Sequence, residues 1–477
     1  FVDSAGGNDG NDGASAGSPW KSLGRVNDKT FQPGDFIQFK AGGVWTGQLH
    51  PKGSGAAAHP IVIDKYGAGP KPVINGNGVT GNGAVYLYNQ AYWEINNLEV
   101  INDAASGGDR RGIYLSAENF GTVEHLYVRN CYVHNIRGIV AHASLAAKRT
   151  GGIFVETIDD STTPTRFNDV LIENCVISTV DNQGIVAMSN PGLPQMEAYP
   201  GTAQWEKRKL THLVIRGNSI NDVAKNAMII RLCDETGLIE HNVCWDTARR
   251  ALSGNTIFSV GCRGTVFQYN EGYLNRADTT GNRGDGSLYD ADSRSPHCIF
   301  QYSYSHDNAH GLYWQCTTTN DAGVIVRYNV SQNDRGIIFC LGYPNKSTFI
   351  YNNTVYIPPD LAPTIVDERR PARTTYFFYN NIIYNLSSNA TYGWFDGGRT
   401  FDYNVFFGYH PAGEPNDAHK LTSDPKLVNP GSGGLGIASL DGYSLQADSP
   451  CIDSGITITT NITANPNHGG LDYWGNV

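Results

Sequence analysis

Between Asp285 and Asp307 the chain gathers side chains that can carry protons and charge: Asp285, Asp290, Asp292 and Asp307, with Arg294, His297, His306 and three tyrosines. Asp290 and Asp292 are two apart, so on a strand both leave the same face, with Cα atoms roughly 6.5–7 Å apart. Like charges at that range resist ionising together, which leaves one carboxyl protonated at neutral pH. A proton donor beside an ionised carboxylate is the equipment that cleaves a glycosidic bond. Asp285, seven residues before Asp292, joins the group if the segment flanked by Gly284 and Gly286 folds back. A lone aspartate in a glycine-rich loop usually caps a turn. Three acids within eight residues, beside aromatic and basic neighbours, read instead as a functional cluster.

What positions them is a repeat. Short apolar runs lead into Asn130, Asn174, Asn218, Asn242, Asn270, Ser303, Asn329, Asn353 and Asn381, at spacings from 24 to 44 residues. A basal unit near 24 residues, lengthened by insertions, predicts an all-β chain wound as one right-handed parallel β-helix. A β-propeller is the rival, but the shorter spacings leave no room for four strands per blade. Asparagine suits the anchor because it accepts left-handed φ/ψ at low cost, and its stacked amides can hydrogen-bond along the axis. The divisions expected are 1–75 for the first strands and cap, 76–410 for the solenoid, and 411–477 for a C-terminal cap over the last turn. Ser18 as N-cap and Pro19 at the first helical position predict a short plugging helix there. Insertions near 104–111, 141–152, 190–209 and 275–284 should form loops walling a groove. Trp205, Lys207, Arg208 and Lys209 would stand on such a wall.

Composition narrows the classes. Of 477 residues 55 are Gly, 26 Tyr and only 3 Met, which favours turns and sheets over packed helices. A net charge of −10 gives no pull toward nucleic acid or anionic membranes, and no apolar run reaches the length of a membrane span. Nine cysteines without a CxxC read as small buried core residues rather than disulfides or a metal site. The Gly6–Gly13 run has oxygen ligands for a structural calcium ion but lacks the EF-hand alternation, so it reads as a turn-rich opening; no cofactor is required. The chain opens at Phe1 with neither Met nor a charged-then-apolar leader, which reads as a mature or trimmed chain; secretion is not read directly from it. Nothing in the sequence sets the oligomeric state.

The opening Gly-Asn-Asp-Gly-Asn-Asp-Gly followed by Ser18-Pro19-Trp20-Lys21-Ser22-Leu23, the Asn-anchored turns and the closing Asp448-Ser449-Pro450-Cys451-Ile452-Asp453 resemble secreted bacterial right-handed β-helix proteins that act on polysaccharides. Within that group the stretch Asp285 to Asp292 is similar to the catalytic region of the lacto-N-biosidase-like β-helix glycoside hydrolases. The resemblance implies a retaining reaction with Asp285 as acid/base and Asp292 as nucleophile, and Asp290 as tuner or substitute. Arg294 would hold the nucleophile ionised, and His297 or His306 would orient a carboxylate or a sugar hydroxyl. Tyr302, Trp314 and Trp205 would line the groove. Two other classes stand beside this one. A polysaccharide lyase or epimerase on a uronate glycan would draw a base from Lys148, Arg149, Lys207, Lys209, Arg294 or Arg335. A glycan-binding module would use the acids only as turn residues.

Overall fold

A computed structural model describes residues 1–140, 147–189, 200–280, 285–316, 322–342, 347–368, 375–393 and 398–458. Its strands are all parallel and fall into three sheets of 13, 13 and 10 strands. Two compact units divide the chain, Phe1–Gly237 and Leu238–Val477. In the second, Ile299–Gln301, Tyr304–His306 and Tyr313–Cys316 form one turn, one strand in each sheet. Each pairs with its counterpart in the next turn, Ile325–Arg327, Val330–Gln332 and Ile337–Gly342. This is a parallel β-helix. The first unit repeats the pattern with longer strands, as where Arg111–Glu118 pairs with Gly151–Asp159.

The period-two alternation of each strand decides what is core. Tyr289, Tyr313 and Phe339 stack in register and are fully buried, while Asp290, Trp314 and Cys340 occupy the alternate, outward positions. Inward aromatics such as Phe267 and Phe300 lie ring on ring, 4.8 Å apart. The Tyr289 hydroxyl accepts from the Asn270 amide at 3.0 Å, so the tyrosine is buried without stranding its polar end.

The asparagine repeat becomes a buried ladder, offset by one residue from the expected conformation. Residues at left-handed φ are those just before the ladder: Tyr269, Tyr302, Tyr328, Asn352, Asn380 and Tyr403. The ladder residues themselves point inward. Asn329 Nδ2 donates to Asn353 Oδ1, and Asn353 Nδ2 to Asn381 Oδ1, both at 3.0 Å, and Asn381 Nδ2 donates to Asn404 Oδ1. Asp417 ends the series by accepting from Asn404. In the first unit Asn130 and Asn174 take the left-handed position, and Cys131 and Cys175 take the inward one. All nine cysteines are free thiols.

Two other expectations shift. The first helix is Leu23–Asp28 with Ser22 as its N-cap, not a helix begun at Ser18. Trp20 is drawn into a β-bridge with Val2, and Asp9 accepts from the Lys21 and Ser22 amides, which keeps that stretch extended. Toward the C-terminus, residues 427–445 lie along the flank of the second unit rather than only over its last turn. Tyr443 donates to Gln332 at 2.6 Å, and the Gly436 amide to Glu271 at 2.8 Å.

Beneath that flank Asp334 is buried, accepting from Ser305, Ser331 and the Asn308 amide. Burial pushes its carboxyl up to about 6 despite those bonds. A folded-state value above the unfolded one stabilises most at low pH, and that contribution is lost as pH rises through about 6. Asp334→Asn should therefore flatten the melting temperature across the interval from 3.8 to about 6 and leave the variant the more stable above pH ~7. Thermal unfolding in a pH series reads this directly; a variant curve parallel to the parent's would refute it.

Candidate active site

The strand Tyr289–Asp292 sends Tyr289 and Ala291 into the core and Asp290 and Asp292 outward, as the sequence alternation requires. Outward is not the same as bare: Asp290 is only 4% exposed, and Phe258 and Trp314 on the flanking strands are nearly as covered. Asp285 precedes the strand and is brought back by a side chain from the preceding turn. Asn255 Nδ2 donates to Asp290 Oδ2 at 2.8 Å and to Asp285 Oδ1 at 3.4 Å. Ser253 also donates to Asp285. The two bonds from one nitrogen, 2.8 and 3.4 Å long, hold Asp285 Oδ1 and Asp290 Oδ2 close to one another. Asn255 Oδ1 accepts the Gly286 and Ser287 amides at 2.8 and 2.9 Å, fixing the turn that carries Asp285. Gly286 has φ +131, which a side chain would strain, and an added Cβ would lie 3.1 Å from the His310 nitrogen.

Asp292 takes the Ser293 amide on Oδ1 at 2.7 Å and the Ser293 hydroxyl at 3.2 Å. Its register partner is Cys316. Burial pushes the Cys316 thiol far above its usual range, and the charges of Asp292, Asp290 and Asp285 add to this.

Trp314, beside Asp290 in register, shares the outward face with the acids and packs on Cys340 and Ile337. Arg294 and His297 lie in the turn after the strand, both at positive φ. Burial, with the charge of Arg263, lowers the His297 pKa and favours a neutral ring. Tyr302 and His306 face elsewhere, because within one turn the chain changes sheet. Tyr302 stands at a corner, stacked between Tyr269 and Tyr328 at 5.2 and 5.1 Å. His306 belongs to another sheet and bridges Asp307 at 2.9 Å and Glu271 at 3.2 Å; these partners hold it protonated above the ordinary histidine range although burial opposes charge. Trp205 is fully buried in the short helix Ala203–Glu206 of the first unit, under Lys209. Arg335 is exposed, and its amide donates to Asn308 and His310 carbonyls. Two of the bases a lyase would need already serve carboxylates: Arg149 pairs with Glu156, and Lys209 with Glu206 and Asp234. Lys207 is exposed.

Sequence reasoning missed Ser253, Asn255 and Cys316. Asn255 lies 30 residues before Asp285, and only the strand register brings the two together.

No protein-family profile matches the chain. A lacto-N-biosidase of Bifidobacterium longum subsp. longum is 29% identical over 96% of this chain. This chain resembles a lacto-N-biosidase. It spans about a third of that relative, 34% of its length. Crystal structures of a GH136 lacto-N-biosidase from Eubacterium ramulus, in native and selenomethionine forms, match with TM-scores of 0.69 and 0.70. They are 24% and 25% identical and are aligned over 80% of this chain and 67% of theirs, a likeness of fold. No helix among the described residues is long and apolar enough to cross a membrane.

Proposed function

We propose that this chain is a glycoside hydrolase acting on an oligosaccharide or polysaccharide with retention of configuration. The observation that carries the reading is Asn255 bridging Asp285 and Asp290, with Asp292 leaving its strand on the same side as Asp290. Asp292 is the nucleophile: it attacks the anomeric carbon and forms a glycosyl ester as the aglycone leaves. Asp285 gives its proton to the departing oxygen, then takes one from the water that hydrolyses the ester. Trp314 offers the apolar wall on which a sugar ring packs. The likeness to lacto-N-biosidases makes glycans ending in lacto-N-biose the first substrates to test. The chemistry needs no cofactor, and a glycan substrate fits secretion.

New reducing ends released from such a glycan, without absorbance near 235 nm, would support the hydrolase. An ultraviolet-absorbing unsaturated product would instead mean a lyase. Asn255 is a positioning residue. Asn255→Ala should lower kcat about 100-fold with KM changed only a few-fold, since it loosens both acids without touching the sugar. Equal loss in KM alone would assign Asn255 to binding.

A further inference from the structure

Along one corner of the second unit the left-handed residues form a column: His241, Tyr269, Tyr302, Tyr328, Asn352, Asn380, Tyr403. Its first four rings stack continuously, at 4.9, 5.2 and 5.1 Å. The stack then stops for two rungs, where asparagines replace rings, and an aromatic returns at Tyr403, itself stacked on His419 at 4.5 Å. Tyr328 and Tyr403 are three rungs apart, roughly 14 Å along the axis at strand spacing. The two missing rings coincide with a cleft of about 470 Å³, which residues 451–458 wall on the outside.

We propose that this slot is a second saccharide-binding site, separate from the aspartate cluster, in which a pyranose ring takes the place of the missing aromatics. Tyr403 at one end is half-buried, and a sugar presents a flat C–H face to such a ring; Tyr328 at the other end is buried in one cluster with Ile458. Its rim is polar. The Asn352 side-chain amide, the Tyr403 hydroxyl and the Asp453 carboxylate all line the cleft and make no hydrogen bond among the described residues. Asn380, by contrast, spends its amide on both backbone groups of Ile456 and so holds the outer wall in place. Unused donors and acceptors around a ring-sized gap suit a polyhydroxylated ligand better than an apolar one, which would leave them desolvated and unpaired. A site of this kind would hold a long glycan while the aspartates cut it.

The test fills the gap. Asn352→Tyr continues the column at a position whose neighbours Tyr302 and Tyr328 already hold tyrosine at φ near +50, so the fold should accept it. Methyl pyranosides of glucose, galactose and N-acetylglucosamine serve as probes, by saturation-transfer NMR and by soaking crystals of the Asp292→Asn protein. The expected results are ring density between Tyr328 and Tyr403 and a sugar signal that Asn352→Tyr abolishes. Tyr403→Ala should weaken binding about tenfold, the scale of one lost ring contact, and stands in if the first variant fails to fold. Hydrolysis of a small aryl glycoside should be unchanged in both. If no probe gives a signal that either variant reduces, the second site does not exist. Absence of hydrolysis in every form would sink the hydrolase reading and leave this one standing.

Discussion

Asp292→Asn is expected to lower kcat on a cleaved glycan by about 1,000-fold or more, with the melting temperature nearly unchanged. Asparagine keeps the shape and can still accept from the Ser293 amide and hydroxyl, so the strand end has no reason to move. It cannot form the glycosyl ester. Asp285→Asn should be nearly as damaging for substrates with poor leaving groups and much milder for aryl glycosides, whose aglycones depart without a proton. Azide separates the two roles. With Asp285→Ala it should intercept the glycosyl ester and give a glycosyl azide of retained configuration. With Asp292→Ala it should attack directly and give the inverted one. If Asp292→Asn keeps near-parental turnover while Asp290→Asn loses it, the nucleophile is Asp290, which already lies within reach of Asp285 through Asn255.

The parts of this arrangement that were legible are those governed by local periodicity. Alternation alone places Asp290 and Asp292 on one face and Tyr289 in the core, because strand geometry allows nothing else. The repeat of short apolar runs ending in asparagine is likewise sufficient for a solenoid. What local pattern cannot supply is which rung lies over which. Asn255 reaches Asp285 only because insertions of unequal length still bring their strands into register. His306 is fourteen residues from Asp292, yet the turn through Arg294 and His297 and the corner at Tyr302 carry it to a different sheet. The buried Trp205 shows the same limit, since an aromatic within a basic loop has the same composition whether it lines a groove or seals a short helix against the solenoid. The one-residue offset of the ladder has a different origin. Both asparagines of Asn352-Asn353 suit a corner, and it is burial that decides which bends the chain and which bonds along the axis.

Asn353→Ala should be the most destabilising single substitution among the ladder positions, costing about 4 kcal/mol and lowering the melting temperature by several degrees. Its Nδ2 donates to the carbonyls of Val326 at 3.0 Å and Tyr351 at 3.1 Å, and to Asn381 Oδ1 at 3.0 Å. Its Oδ1 accepts the Asn329 amide at 3.1 Å and the Asn329 side chain at 3.0 Å. Alanine removes every one of these bonds and puts no water in reach, since Asn329, Asn353 and Asn381 are all essentially inaccessible. Each buried polar group stranded in this way costs roughly 1–3 kcal/mol, and relaxation of the neighbours offsets part of the sum. Asn353→Asp is the informative companion. It keeps the acceptor oxygen that serves Asn329 but turns the donor toward Val326, Tyr351 and Asn381 into a second acceptor, so three favourable contacts become oxygen facing oxygen unless the acid is protonated. A buried aspartic acid forced to take up a proton binds it more tightly folded than unfolded, so this variant should gain stability as pH falls, whereas Asn353→Ala should show no such dependence. Ser303, the one hydroxyl in the ladder, sets the lower bound. It already accepts the Asn270 amide at 3.2 Å and donates to the Gln301 carbonyl at 2.8 Å, so Asn353→Ser should recover part of the loss by the same two-bond pattern. Denaturant unfolding of the three variants against the parent measures the order. If Asn353→Ala proves no worse than Asn353→Ser, the ladder is a packing column rather than a hydrogen-bonded spine.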